Sequence, residues 1–286
     1  MPKADHTEDR RRTIRIKRAA LLRDNLDHID RPSIKIAETR DELEQAFSLV
    51  YNEYLSEGYI KETDRSGLHF SIYHVLPETV VFVFKSHLKV ISTLTLIFDS
   101  EVLGLPMDFL YRKELDALRY QKRRLVELSS LATAKDARWH NLFMYLNRAM
   151  VWYALYRNAT DLCIMVNPKH VDFYKLILLF EDLGPLQYYS KVSAPAVALR
   201  LDLDDVHDKF RETYSAMDFE CDLHRFFFNV TTTQVMSQDG KDLVVKKDRK
   251  MDINTVRYFF IEKKNVLKTA TPDQMKYIRT IYPELR

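Results

Sequence analysis

Glu127 is the residue whose surroundings most strongly suggest chemistry, because it is a carboxylate within an apolar segment. Residues 125–132 have the composition of a buried β-strand. An unpaired charge inside such a strand costs free energy, so we expect Glu127 to line a polar cavity, where a carboxylate can act as a general base. Two structural interpretations stay open: a solvent-facing side chain, or an ion pair with Arg123 or Arg124.

Tyr174 is a second candidate, seven residues after Asn167. Asn167 and Pro168 follow the apolar run 162–166 and are typical of the N-cap and first residue of a helix. The predicted helix 169–180 therefore carries the tyrosine. Its phenol can donate a proton to a leaving group. The structural alternative is a core tyrosine whose hydroxyl reaches water.

The pattern of the remaining chain predicts the elements that position these side chains. Residues 39–42, Thr-Arg-Asp-Glu, have the spacing of a capping box and predict the start of a helix that ends near Gly58. The later elements are strands at 79–85, 89–98 and 125–132, a helix at 142–156, a strand at 162–166, the helix at 169–180, and strands at 187–190 and 196–201, with a loop at 104–108. This order predicts a mixed α/β fold that is too irregular for a doubly wound sheet.

The composition excludes several classes of site. The 286 residues include five glycines, no two of them within five residues of each other. Dinucleotide and P-loop sites need clustered glycines, so neither is expected. Cys163 and Cys221 are too few for a disulfide framework, and no histidine pair has metal-ligand spacing beside a cysteine. We therefore expect no metal site, and the sequence contains no G-x-S-x-G hydrolase motif.

Charge and hydropathy predict a soluble, cytoplasmic protein with a basic arm. No apolar run approaches the ~20 residues of a membrane span, and the N-terminus carries charges in place of a signal sequence. Residues 1–35 hold ten Lys or Arg and six Asp or Glu. This arm is either a solvated tail or a contact for an acidic partner, nucleic acid or a membrane. Since the pattern is mostly helical from about residue 204, we predict three regions: the arm 1–35, an α/β domain 36–203 and a C-terminal extension 204–286.

The order of elements resembles that of the GNAT acyltransferase superfamily. The residues from Asn167 to Tyr174, N-P-K-H-V-D-F-Y, resemble the superfamily pattern N-x-x-A-x-x-F-Y, with His170 in the alanine position. A narrower resemblance, to the long-chain N-acyl amino acid synthases, which include N-acyl tyrosine synthases, covers roughly residues 36–202. It is carried, in order, by residues 50–54, 58–60, 104–108, 114–119 and 123–132. The resemblance implies an α/β (α+β) fold with a GNAT-like mixed central sheet flanked by helices.

The same resemblance implies transfer of a long-chain fatty acyl group from acyl carrier protein to the α-amine of an amino acid. Glu127 would remove a proton from the amine, and Tyr174 would protonate the departing thiolate. Backbone N–H groups around Ser129, Ser130 and Leu131, where the fourth strand of GNAT proteins bulges, would stabilise the oxyanion. The related acyl-homoserine-lactone synthases carry E-x-S-R on this strand. Ser130 replaces that arginine, which argues against lactone synthesis.

The segment after this strand indicates the acyl donor. CoA-using GNAT proteins bind a pyrophosphate through a Q/R-x-x-G-x-G/A loop, whereas residues 133–141 contain no glycine. These residues can hold one phosphate, so the expected donor is the acyl-4′-phosphopantetheine of acyl carrier protein in preference to acyl-CoA, and no bound cofactor is expected. The residues expected around the donor are Ala132, Thr133, Lys135, Arg138, Asn141 and Asn167. The structural alternative is an ordinary charged loop.

Acyl carrier proteins are acidic, so a basic surface would favour their docking. For docking of the carrier protein we prefer the basic cluster immediately before the strand 125–132 to the basic arm. This cluster consists of Arg119, Lys122, Arg123 and Arg124. The product is expected to partition into membranes, and no nucleic-acid partner is expected. Two alternatives stay open: an acyl-CoA-dependent GNAT N-acyltransferase that acts on another amine, and a nucleic-acid-binding module that uses the basic arm.

Overall fold

The computed structural model describes residues 26–61, 66–217, 221–228 and 250–285. Most of the predicted basic arm, residues 1–25, lies outside these ranges, and so do the contacts suggested for it. The described residues are arranged around one seven-stranded sheet with helices on both faces. Among the helices of these ranges, none has the length and apolar character needed to cross a membrane.

The sheet has the strand order β1-β2-β3-β4-β5-β7-β6. Neighbouring strands are antiparallel apart from β4 and β5, which are parallel. The strands are β1 (Pro32–Ile36), β2 (Val80–Ser86), β3 (Lys89–Phe98), β4 (Leu125–Thr133), β5 (Asp161–Val166), β6 (Glu181–Tyr189) and β7 (Ala194–Asp202). Parallel neighbours need a crossover connection, and a helix between β4 and β5 supplies it.

The helices flank this sheet on its two faces. They are α1 (Arg40–Ser56), α2 (Asp108–Tyr120), α3 (Leu142–Tyr156), α4 (Val171–Ile177), α5 (Val206–Tyr214), α6 (Leu223–Phe228), α7 (Ile253–Arg257) and α8 (Pro272–Ile281). Short 3-10 turns occur at Leu26–His28, Ile72–Val75, Lys135–His140, Pro168–His170, Ser190–Val192 and Val266–Thr269, and a π-helical turn at Tyr258–Lys263 follows α7.

The predicted capping box at the start of α1 is present. The Thr39 side chain accepts a hydrogen bond from the Glu42 backbone, and the Glu42 side chain accepts one from the Thr39 backbone. Together they satisfy two backbone N–H groups of the first turn. Helix α1 then buries a stripe that includes Leu43, Phe47 and Val50 against the sheet.

Several elements differ from the sequence prediction. Strand β6 begins at Glu181 and not at residue 187, and the helix predicted at 169–180 is a 3-10 turn followed by α4. Strand β1 pairs with β2 and crosses the boundary that we predicted at residue 35, so the end of the arm belongs to the sheet. Helix α2 follows the predicted loop at 104–108, and no helix was expected there. Its buried residues, Tyr111, Leu115 and Leu118, have helical spacing. The many charged residues between them make this apolar stripe hard to recognise in the sequence.

Alternating residues of each strand send side chains to opposite faces, which divides the core. On one face, Val126 and Leu128 of β4 pack in a cluster with α3, α4, α5 and α6. On the other face, α1, α7 and α8 cover β2, whereas α2 covers β4 and β5 through Leu125 and Cys163. Glu127 lies directly opposite Cys163 and therefore faces the side of the sheet that α1 and α2 cover.

The described parts of the C-terminal extension predicted at 204–286, which are residues 204–217, 221–228 and 250–285, pack on both faces of the sheet. Phe210 of α5 packs against Phe227 of α6, with ring centroids 5.2 Å apart, in the cluster of α3 and α4. Phe259 packs edge-on against Phe47 of α1 at 5.3 Å. The Tyr282 hydroxyl donates to the carbonyl of Val75 at 3.1 Å. The extension therefore belongs to the same folded core as the sheet.

Candidate active site

Glu127 is buried beneath the first turn of α2, with 2% of its surface exposed. Its Oε2 atom accepts a hydrogen bond of 2.8 Å from the backbone N–H of Met107, the residue before α2. The carboxylate does not face solvent, and Arg123 pairs with Asp161, Asp202 and Asp204 and not with Glu127. That Glu127 lines a polar cavity stays a prediction.

Burial raises the pKa of the Glu127 carboxyl group from 4.5 to about 8. The Met107 N–H and the charge of Lys191 favour the carboxylate, whereas the charge of Asp108 opposes it. Glu127 therefore changes its protonation state in the mildly alkaline range. A carboxylate of this basicity is suited to accept a proton from an amine, because the transfer is most favourable when the two pKa values are similar.

Three tyrosines surround Glu127 and were missed as site residues by the sequence analysis. Burial raises the pKa of Tyr54 in α1, of Tyr73 in the turn before β2, and of Tyr189 at the end of β6, and the charge of Glu127 raises each of them further. All three phenols therefore lie near the carboxylate. Tyr54 also has the helical spacing of the buried residues of α1, and its position in the resembling segment 50–54 was the available signal.

Tyr174 lies on α4 and packs edge-on against Phe143 and Phe180, with ring centroids 6.0 and 5.4 Å away. Burial raises its pKa, and the phenol of Tyr54 raises it further. Tyr54 is thus close to both Glu127 and Tyr174, although these two residues belong to elements on opposite faces of the sheet. Tyr54 is thus coupled electrostatically to both predicted proton-transfer residues.

Strand β4 contains a bulge at the position that the family resemblance implies. Ser129 pairs with Thr95 and Ala132 with Thr93, so residues 130 and 131 together face the single residue Leu94. Ser130 has φ of +51°, a left-handed conformation that is uncommon for a residue other than glycine. Such bulges change the direction of backbone groups and are frequent beside active sites.

The sheet opens between β4 and β5 beyond this point. Their parallel ladder runs from Leu125–Asp161 to Leu128–Ile164. Beyond Leu128 and Ile164, β4 stays paired with β3 as far as Thr133, and β5 stays paired with β7 as far as Val166. The edge of β4 that faces β5 therefore has no strand partner in the described sheet from Ser129 onward.

The predicted donor residues lie at this open end. Ser92 binds both the carbonyl of Ala132, at 3.1 Å, and the hydroxyl of Thr133, at 2.7 Å. Lys135 begins a 3-10 turn that leads to Asn141, which has φ of +48° at the start of α3. Asn167 follows β5, and its side chain accepts from the N–H of Lys169 at 3.1 Å.

Two carboxylates at the end of α1, Glu53 in its last turn and Glu57 directly after it, pair with cations at this end. Arg138 forms an ion pair with Glu53, and Lys169 forms one with Glu57 at 3.2 Å. Arg138 is about half exposed, so a ligand can reach its guanidinium. The last turn of α1 is therefore tied to the loops that follow both β4 and β5.

Arg119 of the predicted docking cluster is bound within the protein. Its guanidinium donates to Asp99, Asp108 and Asp116 at 2.7–2.9 Å. Asp108 in turn accepts from the N–H of Leu105 at 2.7 Å and so fixes the turn that precedes α2. The charge of Arg119 is thereby compensated.

Arg123 is also bound, to Asp161, Asp202 and Asp204 at 2.5–2.7 Å. Asp161 is fully buried. Lys122 and Arg124 are exposed. All four residues precede β4, whose first residue, Leu125, is about 26 Å from Thr133 at 3.3 Å per residue. The structure therefore does not bring the predicted docking cluster together with the predicted donor residues.

Groups of three or more His, Cys, Asp or Glu residues that could hold a metal ion do not occur in the described ranges. The candidate site consists of Glu127, the bulge of β4, and Tyr54 and Tyr174. A buried carboxylate, an open strand edge and phenols are groups that suit proton transfer and the stabilisation of an oxyanion.

Known protein families and solved structures include proteins similar to this chain. The model of the N-acyl amino acid synthase FeeM family matches residues 45–202. The structure of FeeM, an N-acyl amino acid synthase from uncultured soil microbes, is 29% identical over 63% of this chain and 95% of that one, with a TM-score of 0.56. This similarity shows a GNAT-like acyltransferase fold.

Other solved structures are more distant. The CoA-dependent acyl-homoserine lactone synthase BjaI is 18% identical over 62% of this chain and 89% of that one, with a TM-score of 0.47. An acyl-CoA N-acyltransferase from Pseudomonas aeruginosa is 14% identical over 59% and 98%, with a TM-score of 0.40. No curated protein matches the chain. Because the family model matches more than half of its residues, the chain belongs to the FeeM N-acyl amino acid synthase family and is an acyltransferase.

Proposed function

We propose that the enzyme transfers a long-chain fatty acyl group from the 4′-phosphopantetheine of acyl carrier protein to the α-amine of an amino acid. The observation that carries this proposal is the buried Glu127 carboxyl group, whose pKa of about 8 suits it to deprotonate an amine. Membership of the N-acyl amino acid synthase family supports both the acyl group and the amine acceptor.

In the proposed reaction, Glu127 takes a proton from the α-ammonium group, and the freed nitrogen attacks the thioester carbonyl carbon. The C–N bond forms and the carbonyl oxygen becomes an oxyanion, which backbone N–H groups of Ser129, Ser130 and Leu131 would stabilise. The C–S bond then breaks, and Tyr174 gives its proton to the thiolate. As the amide forms, the nitrogen loses its second proton, which restores the Tyr174 phenol, and Glu127 releases the first proton to solvent, because the overall reaction frees one proton.

The donor arm would lie along the open edge of β4. Its single phosphate would bind at residues 132–141 and near Asn167, with Lys135 and Arg138 as the cations. Arg138 would exchange Glu53 for the phosphate, which is a chemically similar anion. The 3-10 turn at Lys135–His140 contains no glycine to admit a diphosphate, and this favours carrier protein over CoA.

The carrier protein must approach from the end of the sheet where its phosphate binds. We therefore propose that it docks near Lys135, Arg138 and Lys169 and not on the cluster before β4. Lys122 and Arg124 are exposed but lie at the opposite end of the strand. Arg119 and Arg123 lie at that end too, and both are less exposed than Arg138 and Lys169.

The proposal is tested by incubating purified protein with single amino acids and either acyl carrier protein or CoA that carries the same long-chain acyl group. Mass spectrometry is expected to detect an N-acyl amino acid with the carrier-bound donor, at a much higher kcat/KM than with acyl-CoA. Faster reaction with acyl-CoA would contradict the donor assignment. A lack of product from every amino acid, with both donors, would contradict the proposed acceptor.

The role of Tyr174 is tested by Tyr174→Phe, which removes the hydroxyl and retains the ring between Phe143 and Phe180. We expect kcat to fall about 100-fold, since loss of a general acid typically costs that much or more, with little change in KM. Tyr188→Phe, at an exposed tyrosine of β6, is the matched control. An unchanged kcat in Tyr174→Phe would show that another group protonates the thiolate.

A further inference from the structure

Lys191 lies in the short 3-10 turn Ser190–Val192 between β6 and β7. Its ammonium group is 4.6 Å from the centre of the Phe109 ring. Within the ranges that the structure describes, it forms no ion pair with a carboxylate. A cation over an aromatic ring is held in place but keeps its charge. Lys191 is thus positioned without being neutralised, unlike Arg119 and Arg123.

The neighbours of Lys191 connect it to Glu127. Phe109 is in the first turn of α2, two residues after Met107, whose N–H binds the Glu127 carboxylate. The Phe109 ring also packs against Tyr189 at 5.9 Å, and Tyr189 is one of the phenols around Glu127. Lys191 therefore belongs to the same side of the site as the proposed base, on the α2 side of the sheet.

The position of this turn is fixed by contacts between α2 and the β6–β7 hairpin. Gln187 donates to the carbonyl of Leu110 at 2.9 Å, and the Tyr111 hydroxyl donates to the carbonyl of Ala196 at 2.8 Å. Gly184 of β6 lies against the Tyr111 ring so closely that a Cβ atom there would come within 2.5 Å of it. The turn that carries Lys191 is therefore held against the N-terminal part of α2.

An amino acid acceptor carries a carboxylate next to the amine that reacts. With the amine at Glu127, this carboxylate would come to lie beside Glu127 and Asp108, and the three negative charges would repel one another. A cation is needed to make this arrangement favourable. Lys191 is the cation whose charge favours the Glu127 carboxylate, whereas Arg119 is committed to three aspartates.

We infer that Lys191 binds the α-carboxylate of the acceptor, which places the α-amine at Glu127 and selects amino acids over amines that lack a carboxylate. This inference rests on the proposed function. Lys191 is a specificity-determining residue in this arrangement, since it contacts the substrate away from the bond that forms.

The test compares an accepted amino acid with its carboxamide, in the parent enzyme and in Lys191→Met. A hydrogen-bonded ion pair with the carboxylate gives an expected preference of about 10- to 100-fold in kcat/KM for the amino acid in the parent. Lys191→Met is expected to lose this preference, mainly through a higher KM for the amino acid, and to use the carboxamide as the parent does. Lys191→Arg should restore most of the preference.

The exposed Lys113 of α2 offers the matched control, and Lys113→Met should keep the parent preference. The inference is overturned if Lys191→Met retains the preference, or if it loses activity equally with both acceptors. In either case the parent still forms N-acyl amino acid, so the proposed function stands. Absence of product from the parent itself is the separate outcome that rejects the proposed function.

Discussion

Glu127→Gln is expected to lower kcat by about 10²- to 10⁴-fold at pH 8, which is the range observed when a general base is removed. Glutamine has nearly the same shape and can still accept the hydrogen bond from the Met107 N–H. What it lacks is the ability to take a proton from the acceptor amine. The measurement is the rate of N-acyl amino acid formation by purified parent and variant with saturating donor.

The stability of this variant distinguishes lost chemistry from lost folding. The folded parent binds the Glu127 proton more tightly than the unfolded chain does. The pKa of Glu127 is about 8 in the folded state, against its ordinary value of 4.5 in the unfolded chain. Between these pH values the unfolded chain releases the proton and the folded chain keeps it, so the stability of the parent falls as the pH rises. Glutamine does not titrate, so Glu127→Gln should lack this loss and have the higher Tm at pH 9.

A variant that remains folded and retains most of the parent rate would contradict the role of Glu127 as the base. A variant with a lower Tm than the parent at pH 9 would contradict the burial of an ionisable group at this position. The two readouts are independent, because one follows product formation and the other follows unfolding.

Arg119→Met is expected to reduce the free energy of unfolding by about 3 kcal/mol, because removal of one partner from a largely buried ion-pair network leaves charges without compensation. Asp99 and Asp108 are about one-fifth exposed or less, and both would lose their bonds to the guanidinium. Chemical denaturation measures the change. Lys122→Met, at an exposed residue three positions later, is the control and should be close to neutral.

This variant also tests the role of Arg119 that was predicted from sequence. If Arg119 were mainly a docking residue, its replacement would raise the KM for acyl carrier protein and leave stability unchanged. The contacts within the protein lead us to expect the reverse: a stability loss, with an effect on KM no larger than that of Lys122→Met. Unchanged stability together with a raised KM for acyl carrier protein would show that Arg119 acts mainly in docking.

A site residue can be predicted from the sequence when its type is unusual for the element that contains it. Glu127 stands out because a carboxylate within an apolar strand needs an explanation, and the structure shows it buried beneath α2. The bulge at Ser130 was not visible from residue types, since a serine in the left-handed region leaves no pattern in the sequence. Its position came from the resemblance to a family.

Other features depend on contacts between distant segments and could not be predicted in this way. Tyr54 fits the buried stripe of α1 as well as an active-site role, and only the fold shows that it lies near both Glu127 and Tyr174. The basic cluster at residues 119–124 had the charge of a docking surface, but its aspartate partners lie up to 81 positions away in the chain. Charge compensation of this kind depends on tertiary structure.

The most direct test of the central claim, that Glu127 is the base in the acyl transfer, is the dependence of kcat on pH. It would be measured for two amino acid acceptors whose amine pKa values differ. We expect kcat to rise about tenfold per pH unit below a midpoint near pH 8, with the same midpoint for both acceptors, because the ionising group belongs to the enzyme. A midpoint that moves with the pKa of the acceptor amine would show that the amine loses its proton without Glu127.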